Sequence, residues 1–160
     1  MDDLAPLAYF ITWTVYGTHL QGDELGWRKY GQGHKAPQPR LRNWHERRLK
    51  FPILLLDNIS RKSCDEVIGK HCEIRNWKLW AVNARTTHVH VVVTAIAYKG
   101  NIVRDQLKAN CTRSIREVVA KFRDRPLWTE GGDWSCINAE DELHDVIEYV
   151  REAQDRKGCE

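Results

Sequence analysis

His88-Val89-His90 stands at the head of an apolar run, Val91-Val92-Val93. In an extended strand residues i and i+2 project from one face. Both imidazoles therefore point one way, while Val89 and Val91 point the other. Two imidazoles a strand-step apart can chelate one divalent ion if other groups complete its shell. The same alternation decorates half-exposed strands that bind nothing, so the pair needs a partner from elsewhere. Tyr149 offers one, within Val146-Ile147-Glu148-Tyr149-Val150-Arg151-Glu152-Ala153-Gln154. A phenol with an ordinary pKa near ~10 attacks poorly at neutral pH unless its developing charge is stabilised or a base takes its proton. A tyrosine on an amphipathic helix also serves simply to pack.

Other residues compete for these roles. Tyr9 and Tyr16 fall in an apolar strand and read as packing, and Tyr30 and Tyr98 lie in or near loops. His19, His34, His45, His71 and His144 show no ligand spacing. Trp27, Trp44, Trp128 and Trp134 can stack on nucleic-acid bases or fill a core. Lys108, Arg113 and Arg116 can track phosphates or form a solvated helix face.

The elements that must position these groups follow from periodicity. Ala8 to Tyr16 is dense in β-branched and aromatic residues and predicts a strand. From about 17 to 43 the chain is polar and rich in Gly and Pro, which reads as a long loop or embellishment. A helix is predicted from about Asp57 to Asn76, capped by Asp57 or Ser60. Strands at Lys78 to Asn83 and His88 to Ala95 flank the short turn Ala84-Arg85-Thr86-Thr87, a hairpin signal. Asn101 to Phe122 carries a helical apolar stripe that Pro126 stops. Leu127 to Ile137 is a weaker strand interrupted by Gly131-Gly132. A last helix runs from about Asn138 or Ala139 to Arg156, acidic in its first turns as the helix dipole favours. The order predicts one α+β domain over residues 1–160. Its antiparallel sheet is ferredoxin-like, β-α-β-β-α-β, with an additional C-terminal helix.

Composition sets the outer bounds. A hydrophobic fraction of 42% suffices for a packed core and argues against a disordered chain. The longest apolar runs, Phe51 to Leu56 and Val89 to Ala97, fall short of the ~20 residues that span a bilayer. No membrane association is expected. The opening Met1-Asp2-Asp3 lacks a basic-then-apolar pattern, so no secretory signal is expected and the cytoplasm is the expected location. Cys64, Cys72, Cys111, Cys136 and Cys159 are odd in number and lack a C-x-x-C pair, which argues against a disulfide framework or zinc ribbon. A net charge of +3 decides little, but its distribution is uneven. Basic residues gather between Trp27 and Lys50 and again from Arg104 to Arg125, interleaved with tryptophans. Acids gather from Glu140 to Glu152. That pattern suits a phosphate backbone with stacked bases.

Taken together, the order of elements, His-Val-His on a central strand and one tyrosine on a following helix resemble the single-tyrosine (Y1) HUH transposases. These are the IS200-like enzymes and their REP-associated relatives. The resemblance runs from Tyr9-Phe10-Ile11-Thr12-Trp13-Thr14 to the helix around Tyr149. It includes Leu127-Trp128-Thr129-Glu130-Gly131-Gly132, similar to the tryptophan-bearing segment before the family's last strand. It implies that His88 and His90 hold Mg2+ or Mn2+ and that Tyr149 attacks single-stranded DNA, giving a 5′-phosphotyrosine and a free 3′-hydroxyl. Strand transfer follows by the reverse attack. No nucleotide cofactor is implied, and no P-loop motif is present. It also implies hairpin-containing DNA ends as substrate and a homodimer. By their own charge and ring chemistry, Lys108, Arg113, Arg116 and Trp128 are the expected DNA contacts.

Two positions depart from the family pattern. A Gln or Asn one turn beyond the tyrosine should complete the metal site, yet position i+4 is Ala153. Glu152 shares a helix face with Tyr149 and is a hard ligand; Gln154 matches chemically but is rotated away on a continuous helix. The choice stays open. Where many relatives carry Pro-Asn before the histidines, this chain has Thr86-Thr87. Two rival readings are a non-catalytic nucleic-acid-binding module with the same fold and a metal-dependent hydrolase using activated water.

Overall fold

The computed structural model describes residues 5–24, 26–29 and 33–154, without the side chains of residues 27–29. Alternation of apolar and polar residues extends β1 (Ala8–Thr14), β4 (Lys78–Ala84) and β5 (His88–Thr94); β6 (Asp133–Ile137) completes one sheet. The order β4-β5-β1-β6 is antiparallel throughout. It is the expected ferredoxin-like arrangement, with β1 and β5 at the centre.

Period two splits the sheet into two faces. Ile11, Trp13, Val89, Val91 and Val93 point to one side and are completely covered. Helix α2 (Asn58–Arg75) brings Cys64, Ile68 and Cys72 to that face, and α3 (Gly100–Val118) brings Val103, Leu107, Cys111 and Ile115. Asp57 caps α2 by accepting from the Ser60 N–H at 2.8 Å, and Asn76 closes it in the left-handed region at φ 57°. The opposite face carries Phe10, Thr12, Thr14, His88, His90 and Val92. Helix α4 (Glu140–Arg151) covers part of it through Leu143, Val146, Ile147 and Val150, an i, i+3, i+4, i+7 stripe.

Several boundaries differ from the sequence expectation. The helix read to Phe122 ends at Val118: Val119 turns extended and residues 120–122 form a 3-10 turn that still buries Phe122. Thus the apolar stripe was real at Phe122 although the helix was not. The strand read from Leu127 to Ile137 is two pieces. Leu127 to Thr129 runs beside the end of β1, with the Tyr16 N–H donating to the Leu127 carbonyl at 2.9 Å and the Thr129 N–H to that of Thr14 at 2.9 Å. Gly131 and Gly132, at φ 79° and 125°, then break the chain before β6. The last helix stops at Arg151 rather than continuing toward Arg156, and residues 155–160 lie outside the described part.

The segment from 17 to 43 is more than loop. It holds the short strands β2 (Trp27–Lys29) and β3 (Gly33–Lys35) and opens α1 (Pro39–Arg47). Gly22, at φ 91°, packs so closely on α1 that an added Cβ would stand 2.4 Å from the Gln38 carbonyl oxygen and 2.5 Å from the Arg42 nitrogen. The expectations attached to the Trp27 side chain, Tyr30 and Cys159 lie outside the described residues. Cys64, Cys72, Cys111 and Cys136 are free thiols. Among the described residues no helix is long and apolar enough to cross a membrane.

Candidate active site

Strand register decides what surrounds the histidines. Thr12 lies directly across from His90 on β1, Thr14 across from His88, and Asn83 across from His90 on β4. Directly opposed residues share a face, so Asn83, His90 and Thr12 form one row across the sheet. The Thr12 hydroxyl sits 2.7 Å from His90 Nδ1, and the Thr87 hydroxyl 3.1 Å from His88 Nδ1. The two imidazole centroids are 4.5 Å apart. His90 is only 6% exposed. Burial, with the charge of His88 adding to it, lowers its pKa to about 4, so the ring is neutral at physiological pH and keeps a lone pair for ligation.

Tyr149 reaches the same face from α4. Its ring centroid is 5.7 Å from that of His90 and 6.1 Å from that of Phe10, edge-on in both cases. Phe10 in turn stacks on His90 at 5.7 Å. Val146 and Val150 turn inward, which leaves Tyr149 on the shoulder of the helix, 60% exposed. That exposure leaves its phenol reachable from solvent. The competing tyrosines are elsewhere: Tyr9 donates its hydroxyl to the Tyr98 carbonyl at 2.7 Å, Tyr98 packs on Trp77, and the Tyr16 hydroxyl accepts from the Lys50 N–H.

What fixes the end of α4 was not visible in the sequence. The Asn83 amide donates to the carbonyl oxygens of Val150 at 2.8 Å and Ala153 at 3.3 Å. Those bonds hold the end of the helix, whose last residue is Arg151, two past Tyr149. The rotational argument against Gln154 therefore lapses, because the chain has left the helix before reaching it. Glu152 and Gln154 both line the cleft above the histidines.

The cleft has a volume of about 900 Å³. His88, His90, Thr12 and Thr14 form its floor. Tyr149 and the end of α4 make one wall, and Thr129, Glu130 and Asp133 the other. The embellishment closes a third side with Thr18, His19 and His34, the last two being histidines without ligand spacing in the sequence. Among the described lining residues there are carboxylates at Glu130, Asp133 and Glu152 but no lysine or arginine. Nor does any described cluster bring three or more His, Cys, Asp or Glu side chains together in a geometry that could hold a metal. The two imidazoles thus stand as a pair, with Glu152 and Gln154 also on the cleft lining.

The expected DNA-contacting residues do not line this cleft. Lys108 is half-buried and donates to the carbonyls of Thr129 at 3.0 Å and Gly131 at 2.6 Å, clamping the wall loop. Desolvation lowers its pKa. The Trp128 indole donates to the Thr112 hydroxyl at 2.9 Å and packs edge-on against Trp13. Arg116 donates to the carbonyls of Arg125 and Phe122. Arg113 is exposed but rides on α3, across the sheet from the histidines. The second basic stretch is thus largely spent on backbone carbonyls.

No family model matches the chain, and no curated protein does. The fold is nevertheless shared with a solved structure from Deinococcus radiodurans R1 described as a "putative transposase". The TM-score is 0.53 at 10% sequence identity, over 98% of this chain and 97% of that one. At that identity the likeness establishes the shared α+β architecture, which runs end to end.

Proposed function

We propose that this protein cleaves and rejoins single-stranded DNA, with Tyr149 as nucleophile and His88 and His90 holding Mg2+ or Mn2+, as a transposase or a domesticated relative. The observation that carries the reading is the approach of the Tyr149 ring to His90, 5.7 Å between centroids, on one face of one sheet. The description of the structural neighbour as a transposase agrees with it.

The residues fit a cation. Nδ1 is the atom each ring spends on a threonine hydroxyl, so Nε2 is the nitrogen each would present to the metal. His90 is held neutral, the form that ligates. The carboxylates of Glu130, Asp133 and Glu152 around the cleft suit a bound cation. Gln154, or Glu152 after a change of side-chain rotamer, would add a ligand, and water or the phosphate itself the remainder. When bound, the metal would polarise the scissile phosphate as a Lewis acid.

The protein's own groups do the rest. The Tyr149 oxygen attacks phosphorus in line and its proton passes to solvent. The bond from phosphorus to the 3′ oxygen breaks, and that oxygen leaves as a 3′-hydroxyl. The 5′ side stays on Tyr149 as a phosphotyrosine until another 3′-hydroxyl reverses the exchange. One phosphodiester bond is exchanged for another of similar energy, so no nucleotide cofactor is required. In this reading Tyr149 serves the histidines of its own chain, hairpin-bearing DNA ends are the substrate, a homodimer is the working form, and the cytoplasm is its place.

A denaturing gel of protein incubated with labelled single-stranded hairpin DNA and Mn2+ tests this. A covalent adduct is expected for the parent, none for Tyr149→Phe, and none for the parent in chelator. Metal-dependent cleavage without an adduct would make the protein a hydrolase. Binding without cleavage would leave a non-catalytic module.

A further inference from the structure

The described lining of the cleft brings no lysine or arginine, and α3 donates most of its cations to backbone carbonyls. A strand that runs beyond the cleft would gain affinity from a further basic surface. Helix α1 fits that need. None of its residues is fully buried. Leu41, His45 and Leu49 form its half-buried inner side, with His45 bonded to Gln21 at 3.1 Å and Leu49 near Gly17. Its outer side repeats at helical spacing as Arg40, Trp44, Arg48, with Arg47 alongside.

Trp44 is 49% exposed. The Arg48 guanidinium, at the helix end, lies 3.8 Å from its ring centroid and donates through one nitrogen to the Trp44 carbonyl at 3.2 Å, while the side chain stays exposed. Gln38, Pro39, Arg40 and Leu41 form a shallow groove with Trp44. A short helix of this kind is marginal alone, and its outer side chains bring the fold no buried contact. A half-exposed indole flanked by three arginines is the composition that stacks an unpaired base and holds the phosphates beside it. The same embellishment contributes His19 and His34 to the cleft wall, so α1 and the cleft belong to one continuous segment.

We infer that α1 is a second station for the substrate strand, in which Trp44 stacks one unpaired base and Arg40, Arg47 and Arg48 bind the adjoining phosphates. This rests on the reading of the protein as a single-strand DNA enzyme and extends it beyond the cleavage cleft.

The test is equilibrium binding of a fluorescent single-stranded oligonucleotide, long enough to leave the cleft, across a range of salt. Trp44→Ala should weaken binding by about tenfold or more. The triple variant R40Q/R47Q/R48Q should reduce the slope of log affinity against log salt by about 2, at about 0.7 per phosphate contact on a single strand. Arg113→Gln on α3 should leave both unchanged. Thermal melts establish that the variants fold, and since all these side chains are exposed the triple variant keeps the test open if Trp44→Ala does not. Unchanged affinity and slope in both α1 variants would overturn the inference. So would an equal loss from Arg113→Gln, equal weakening on duplex DNA, or a Trp44→Ala variant that merely loses self-association. Tyr149→Phe should bind normally while forming no adduct, so a failure of the cleavage chemistry is read separately from a failure of the α1 surface.

Discussion

Acidifying the metal-free protein should cost stability through His90. The ring is almost fully covered, and burial together with His88 holds its pKa at about 4 against an ordinary 6.5. Above about pH 6.5 neither the folded nor the unfolded chain carries this proton, and the contribution to stability is complete. Below it the unfolded chain takes up a proton that the folded chain refuses, so stability falls until the folded pKa is passed. At about 1.4 kcal/mol per unit the full loss is about 3 kcal/mol, and about 2 kcal/mol of it is gone by pH 5. Other groups titrate in the same window, so a difference isolates the effect. Urea denaturation in chelator, at about pH 7.5 and about pH 5, would compare the parent with His90→Gln, whose amide can still meet Thr12. The variant should gain on the parent by about 2 kcal/mol as the pH drops. A gap that stays constant to within about 0.5 kcal/mol, the reach of such extrapolations, would show that His90 is not desolvated in the folded state.

Two positioning residues give further tests. Thr12→Val removes the hydroxyl beside His90 Nδ1; we expect a stability loss of about 1–3 kcal/mol and Mn2+ affinity lower by about 10–100-fold, measured by denaturation and by calorimetry. Asn83→Ala deletes both bonds that end α4. Hydrogen exchange should quicken at the last turn of α4 while α2 and α3 are unaffected, with a stability loss of about 1–2 kcal/mol and a slower single-turnover adduct rate at unchanged strand affinity.

The parts of this structure legible in the sequence are those set by local periodicity. His88 and His90 share a face because strands repeat every two residues, and α2 was bounded by Asp57 and Asn76 because caps are local signals. Helix α1 escaped because none of its residues is fully buried and prolines surround its start; it rests on Gly22 and on the His45 contact with Gln21, which no local apolar pattern announces. The end of α4 escaped for a related reason. Glu152 to Gln154 have helical composition, yet Asn83, some 70 residues earlier, draws off the carbonyls. Register could have found Asn83 and Thr12. Counting outward from the turn between β4 and β5 sets Asn83 opposite His90, and period two on β1 puts Phe10, Thr12 and Thr14 on one face. That Thr12 rather than Thr14 faces His90 depends on a pairing between strands far apart in sequence, which no single strand encodes.

The charges of the fold separate two tasks that composition alone merged. Both basic stretches looked like phosphate ligands in the sequence, but Arg104 and Lys108 of α3 turn toward the backbone of the wall loop, whereas Arg40, Arg47 and Arg48 at α1 stay exposed. Meanwhile Glu130, Asp133 and Glu152 line the cleft. In the proposed reading a phosphate enters the cleft together with a cation on the histidines, whereas α1 would hold a strand without metal. The metal dependence of adduct formation and the salt dependence of binding therefore report on different surfaces. A protein in which both were lost by the same substitution would not be organised as described.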